Sequence, residues 1–166
     1  EAGEAKRVLE DWREALADHF GVDEAGRIVF TSGATEANNA VIAHFAGCLS
    51  GCLVTSEIEH PCVEAAVHRD LDPSRVRRLP TDPSTGAAIL LPLKEWIAKG
   101  EVGAVSLMAA NNETGALQAW REASDLCREA GIPFHTDAAQ WIGKLPVAGL
   151  GHAGYVTGSG HKFGGG

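Results

Sequence analysis

The chain has 166 residues, 45% of them hydrophobic and 22% charged, which suits one domain with a sizeable core. Its formal net charge of −8 argues against a nucleic-acid footprint, which needs a basic face, and gives no help to binding at a membrane surface. No apolar run approaches the length that spans a bilayer, and the charged stretch Glu1 to Arg7 does not read as a signal peptide.

Helical and extended patterns alternate along the chain. Ala5 to Phe20 carries apolar residues at helical spacing, among them Val8, Leu9, Trp12, Ala15 and Leu16, and Gly21 can stop the helix. Arg27 to Thr31 reads as a short strand, Thr35 to Phe45 as a helix, Cys52 to Thr55 as a strand and Val63 to Arg69 as a helix. Arg75 to Leu79 has a strand pattern, followed by a turn-rich stretch through Pro80, Asp82, Pro83 and Gly86. Leu93 to Ala98 is a short helix. Ala104 to Met108 is an apolar run of the kind found in buried parallel strands. Arg121 to Ala130 is a helix that ends at Gly131, and Ile132 to His135 and Gly154 to Thr157 are strands. The alternation predicts an α/β layer structure with a largely parallel sheet. Ligands of such sheets gather at the carboxyl ends of the strands, so the loops there are the places to look for chemistry.

The loop Thr31 to Glu36 follows a strand and opens a helix. Its small residues let the backbone approach a ligand, and the free N–H groups of a helix start favour an anion such as phosphate. By itself it is also readable as an ordinary Ser/Thr cap with Glu36 in the first turn, and it lacks the Walker spacing. Glu57 to Pro61 puts His60 at the mouth of a strand-to-helix loop, with Pro61 suited to the first helical turn. A histidine there can stack on an aromatic ligand or move protons, or simply be an exposed loop residue. Asn111 to Gly115 follows the most hydrophobic strand. Two amides and a carboxylate there are costly to bury unsatisfied and suggest a polar site, although Asn and Gly also build common turns.

His135 to Gln140 puts Asp137 at the end of an apolar strand, where a carboxylate can hold a cationic ring nitrogen or cap a helix. The stretch Gly158 to Gly165 is the most informative. Lys162 sits among glycines beside Ser159 and His161, a setting poorly explained by a solvated surface charge. The glycines allow close backbone approach, and Ser159 and His161 can donate to a phosphate. Lys162 can then reach an aldehyde held beside it, lysine being the usual amine for Schiff-base chemistry. Taken in order, these loops make up a set of parts for pyridoxal phosphate.

The motifs Thr31-Ser32-Gly33-Ala34-Thr35-Glu36, Glu59-His60-Pro61, Asn111-Asn112-Glu113-Thr114-Gly115, Asp137-Ala138-Ala139-Gln140 and Ser159-Gly160-His161-Lys162 resemble those of cysteine desulfurases. These belong to the class V aminotransferase group of fold-type I pyridoxal-phosphate enzymes, and the resemblance runs from about Ala5 to the last residue. It implies a three-layer α/β domain with a mainly parallel sheet, the cofactor-binding large domain, over residues 1–166. It implies pyridoxal 5'-phosphate as the cofactor, and no metal. It places Ala34 and Thr35 at the cofactor phosphate together with Ser159 and His161, and His60 on the face of the pyridine ring. Asp137 matches the partner of the ring nitrogen, Gln140 the amide beside the ring hydroxyl, and Asn112 the asparagine near substrate and ring. Lys162 matches the Schiff-base lysine and proton carrier, so Lys162 and His60 are the catalytic candidates.

The reaction implied is removal of sulfur from L-cysteine, giving alanine and an enzyme persulfide for iron–sulfur cluster assembly. The implied setting is a cytoplasmic homodimer that hands sulfur to an acceptor or an iron–sulfur scaffold protein. A selenocysteine lyase, an epimerase or an aminotransferase of the same group stays open, as does a non-catalytic domain that keeps the pocket. The family's sulfur-accepting cysteine and carboxylate-gripping arginine lie well after the lysine, and Cys48, Cys52, Cys62 and Cys127 do not match that cysteine. The chain starts at Glu1 and stops in Gly164-Gly165-Gly166, with Gly166 where many members have proline. The expectation is a piece of a longer protein that lacks the small domain and the catalytic-cysteine loop and is inactive alone. The cysteines do not have structural-zinc spacing. They are expected to be reduced and mostly buried, with Cys62 packing rather than reacting.

Overall fold

The computed structural model describes residues 2–165. Its strands are Cys52–Ser56 (β1), Val76–Leu79 (β2), Val102–Ser106 (β3), Phe134–Asp137 (β4) and Tyr155–Thr157 (β5). Its α-helices are Ala2–Phe20 (α1), Ala34–Cys48 (α2), Pro61–Asp70 (α3), Leu91–Ala98 (α4) and Trp120–Ala130 (α5). The strands form one five-stranded sheet in the order β2-β1-β3-β4-β5, and every pairing is parallel. From β1 the chain first steps outward to β2. It then returns to the other side of β1 as β3 and continues away as β4 and β5. The direction of winding reverses between β1 and β3, which opens a crevice outside their carboxyl ends.

Successive residues of a strand point to opposite faces, and here both faces are covered. Leu53 and Ala104 pack with Ile42 and Phe45 of α2 and with Val63 and Val67 of α3. Val54 and Val105 pack on the other side with Leu93 of α4 and with Ala123 and Cys127 of α5. The result is the expected three-layer α/β fold. Gly131 ends α5 with φ 68°, a left-handed conformation that costs a glycine little. The next N–H, that of Ile132, then donates to the Cys127 carbonyl at 2.8 Å, closing the helix with a Schellman turn.

Several expectations need correction. Arg27–Thr31 is not a strand: Ala25–Arg27 is a 3-10 turn, and residues 28–31 run on without a ladder partner among the described residues. A strand needs such a neighbour to satisfy its backbone, and Val29 is left 73% exposed. Helix α1 forms, but Val8, Leu9 and Trp12 face outward and only Ala17 is buried among its described side chains. β4 starts at Phe134 because Ile132 and Pro133 complete the turn out of α5. β3 stops at Ser106, yet the Leu107 and Ala109 N–H groups still donate to the carbonyls of His135 and Asp137, at 3.0 and 2.8 Å. Only Cys127 is buried, its thiol pushed up to about 12 by burial, while Cys48 is exposed and Cys52 and Cys62 are half-buried. Gly166 lies outside the described residues. Among the described residues no helix is long and apolar enough to cross a membrane.

Trp120 is a keystone of the α5 face. It is 1% exposed and meets Trp141 edge-on at 5.6 Å. Arg121 stacks over both rings, 4.4 and 5.0 Å from their centroids. The Trp120 indole N–H, however, has no hydrogen-bond partner among the described residues. Trp120→Ala is therefore expected to cost about 3–5 kcal/mol through the cavity it leaves. Trp120→Phe should cost much less, because it keeps a ring and removes an unsatisfied donor. Urea denaturation of both variants checks this, and equal losses would contradict it.

Candidate active site

The sheet brings the carboxyl ends of β1, β3, β4 and β5 to one edge, and the start of α2 comes to the same edge. A cavity of about 420 Å³ opens there. Every candidate residue named from the sequence lines it, from Ala34 and Thr35 through His60, Asn112, Asp137 and Gln140 to Ser159, His161 and Lys162.

Gly33 precedes α2 with φ 154°, where a side chain would be strained, and a Cβ there would lie 4.0 Å from the Ser159 hydroxyl. The first backbone bond of α2 runs from the Ala37 N–H to the Gly33 carbonyl, 3.2 Å, so the N–H groups of Ala34, Thr35 and Glu36 have no partner within the helix. Glu36 folds back onto Ser32 and accepts its N–H at 2.6 Å; the Ser32 hydroxyl first and then this N–H lower its carboxyl below the usual range. Facing this helix start, Ser159 is buried and its Oγ lies 2.8 Å from Nδ1 of exposed His161. Free N–H groups, a hydroxyl and an imidazole on one wall form a cradle for an anion.

His60 caps α3: its Nδ1 accepts the Cys62 N–H at 3.2 Å, with Pro61 next to it at the start of the helix. Nδ1 therefore carries no proton, and in the neutral ring the proton sits on Nε2. The Cys62 sulfur lies 3.0 Å from that same Nδ1 and on the cavity wall, so this thiol is not packed away as the sequence suggested. The loop after β3 is both of the things it was read as. Asn111 builds a turn, accepting from Glu113 and Thr114, and Gly115 closes it with φ 74°. Asn112 is left to face the cavity.

Asp137 is 6% exposed. One oxygen accepts the Ala139 N–H at 2.9 Å and the other accepts Asn38 Nδ2 at 2.7 Å. It caps a turn rather than an α-helix and still presents its carboxylate to the cavity. Gln140 receives Lys144 on its carbonyl oxygen. Lys162 is exposed, held by its N–H on the Ser159 carbonyl at 3.2 Å. The cavity thus offers an anion cradle at one end, a buried carboxylate for a cationic group, and a primary amine. Among the described residues no cluster of three or more His, Cys, Asp or Glu is placed to hold a metal ion.

Two contributors had no role in the sequence reading: Asn38, which it did not single out, and Glu59, which it named only within a motif. Asn38 is fully buried, one turn after Ala34, and the Asn38-Asn39 pair inside a helix of modest propensity was the available signal. Glu59 is 7% exposed; it accepts the Ser56 hydroxyl at 2.6 Å and the Met108 N–H at 3.0 Å, tying the loop after β1 to the exit of β3.

Comparison with known proteins agrees with this architecture. The family model for Aminotransferase class-V matches residues 1–166. The cysteine desulfurase IscS of Rickettsia bellii is 40% identical over 148 residues, covering 87% of this chain and 35% of that protein. A NifS-like protein of Rickettsia africae superposes with a TM-score of 0.82 at 29% identity, covering all of this chain and 46% of the other. A structure described as SspA in complex with cysteine gives a TM-score of 0.82 at 32% identity, covering 97% and 47%. The chain thus spans about a third of the curated relative and under half of the solved chains.

Glu59 and His135 set opposite pH limbs for stability. Burial raises the Glu59 carboxyl from 4.5 to about 8, against the bonds from Ser56 and Met108. The folded state then holds the proton more tightly, so stability is fully present below pH 4.5 and falls as pH rises toward 8. Burial lowers His135 from 6.5 to about 3, so its contribution is present above pH 6.5 and is lost as pH falls toward 3. Glu59→Gln should flatten the decline between neutral pH and pH 8 while leaving the acid limb in place. Urea midpoints measured across that range check it, and an unchanged alkaline slope would remove Glu59 as the cause.

Proposed function

The chain belongs to the class V aminotransferase family, and from that premise we propose that its cavity binds pyridoxal 5'-phosphate and serves a cysteine desulfurase acting on L-cysteine. The observation that carries this reading is the convergence of all the candidate residues, from separate loops, on one cavity beside a buried carboxylate. The residues fit the cofactor. The unpaired N–H groups at the start of α2, with Ser159 and His161, suit a phosphate dianion. Ala34, Ala110 and Ala139 keep the side chains small at three places on the cavity wall. The desulfurase relatives support the substrate class.

Pyridoxal phosphate, when bound, supplies an electron sink for charge that develops on an amino acid's carbon atoms. Asp137 would hold the ring nitrogen with a carboxylate oxygen and favour its cationic form. The His60 imidazole offers a flat face to the ring while its Nδ1 is committed to the cap of α3. By family resemblance Gln140 would hold the ring hydroxyl and Asn112 would stand near ring and substrate; both line the cavity. The Lys162 amine would hold the aldehyde end of the cofactor, and its Nζ would carry a proton to and from the substrate. The thiol that accepts sulfur and the arginine that grips the substrate carboxylate belong, by family resemblance, to segments after Lys162. The protein then passes sulfur to an acceptor or iron–sulfur scaffold protein, as a cytoplasmic homodimer.

The test is covalent trapping. Protein mixed with pyridoxal phosphate and then reduced with borohydride should carry one pyridoxyl group, and the label should disappear in Lys162→Ala while Lys144→Ala keeps it. Full labelling of Lys162→Ala would refute the assignment.

A further inference from the structure

A file of polar side chains runs from the cavity into the core. Ser106 ends β3, His135 lies within β4, Thr157 ends β5, Asn38 faces inward from α2, and Asp137 ends β4 at the cavity. Ser106, His135 and Asn38 are 0% exposed, Thr157 4% and Asp137 6%. Ser106 Oγ lies 2.8 Å from His135 Nδ1, and His135 Nε2 lies 3.1 Å from Thr157 Oγ1. Thr157 Oγ1 is 2.5 Å from Asn38 Oδ1, and Asn38 Nδ2 is 2.7 Å from Asp137 Oδ2.

The direction of every proton follows from the carboxylate end. The Asp137 carboxylate only accepts, so Asn38 turns its amide nitrogen toward it and its carbonyl oxygen toward Thr157. A carbonyl also only accepts, so the Thr157 hydroxyl gives its single proton to Asn38. Toward His135 the Thr157 oxygen must then accept, which puts the ring proton on Nε2. Burial lowers His135 to about 3, so above that pH the ring is neutral and Nδ1 is bare. Ser106 donates to it. All four hydrogen bonds point the same way, and each polarises the next toward Asp137. The other amide hydrogen of Asn38 goes to the Cys62 sulfur at 3.3 Å, so Asn38 has no spare donor.

We infer that Asn38 is a positioning residue: through it the oriented file from Ser106, His135 and Thr157 sets the rotamer of Asp137 and aims its remaining lone pairs into the cavity. Asn38 touches neither ring nor substrate in this role and acts only through Asp137. The inference rests on the reading of the cavity as a pyridoxal-phosphate site. It also explains why buried polar groups occupy the sheet at this point, where apolar packing would be simpler. A file serving packing alone could point either way; one serving the carboxylate must end on a donor.

The test uses the whole protein and two readouts. Nitrogen-15 spectra of the imidazole, taken without cofactor, should show His135 neutral and protonated at Nε2 from pH 5 to 8. A ring protonated at Nδ1, or a cation, overturns the inference. Titration with pyridoxal phosphate, followed by its visible band, should give a Kd about tenfold weaker in Asn38→Leu, the loss expected for a bond to a charged group. His135→Leu should weaken binding less, and His135→Gln, which keeps an N–H near the Nε2 position, should restore it. The pH midpoint of the bound cofactor's band should shift in Asn38→Leu, which a purely structural role would not do. Asn38→Leu with the wild-type Kd and band overturns the inference. If wild-type protein itself gives no visible band, the functional reading falls instead, and the tautomer still decides whether the file is oriented.

Discussion

A buried carboxylate is the constraint around which this domain is arranged. An ionised group taken out of water is costly unless donors and a counter-charge meet it, and Asp137 is 6% exposed at the end of a central strand. The Ala139 N–H and the Asn38 amide each take one oxygen. The first is local, a consequence of the turn that follows β4. The second comes from 99 residues away and requires α2 to lie against the ends of β4 and β5. What the protein does not supply among these contacts is a cation.

The parallel sheet is what makes the arrangement possible. Because all pairings are parallel, the exits of β1, β3, β4 and β5 fall along one edge, and each contributes a different chemical part. The right side chain at the end of each strand then suffices, with no single loop having to carry the site. The two buried groups of unusual protonation, Glu59 near 8 and His135 near 3, both sit under this edge. Glu59 ties two of the loops together, and neutral His135 relays its orientation to the carboxylate, so the cavity rests on polar groups that water does not reach.

Much of this was visible in the order of residues. The alternation of apolar runs and helical spacing is local information, and it marked the five strands of the sheet and the five α-helices, though none of the 3-10 turns. The loops that line the cavity were readable because the carboxyl ends of parallel strands are predictable places for polar clusters. What stayed hidden depends on distance in space. Asn38 reads as one polar residue in a helix until α2 is folded onto β4. Arg27 to Thr31 has strand composition, but composition does not provide a neighbour to pair with. Cys62 looked like a packing residue, yet the cap of α3 turns its sulfur to His60 Nδ1 and to the cavity wall. The outward face of α1 is the same lesson reversed, since Val8, Leu9 and Trp12 have the spacing of a buried stripe and stand exposed.

The most direct measurement is a crystal structure of the protein grown with pyridoxal phosphate. The account predicts the phosphate at the N–H groups of Ala34 and Thr35 beside Ser159, and the ring nitrogen within about 3 Å of an Asp137 oxygen, an ordinary charge-assisted hydrogen bond. It also predicts continuous density from the cofactor to Lys162. A cofactor bound elsewhere, or a ring turned so that its nitrogen faces away from Asp137, would contradict it.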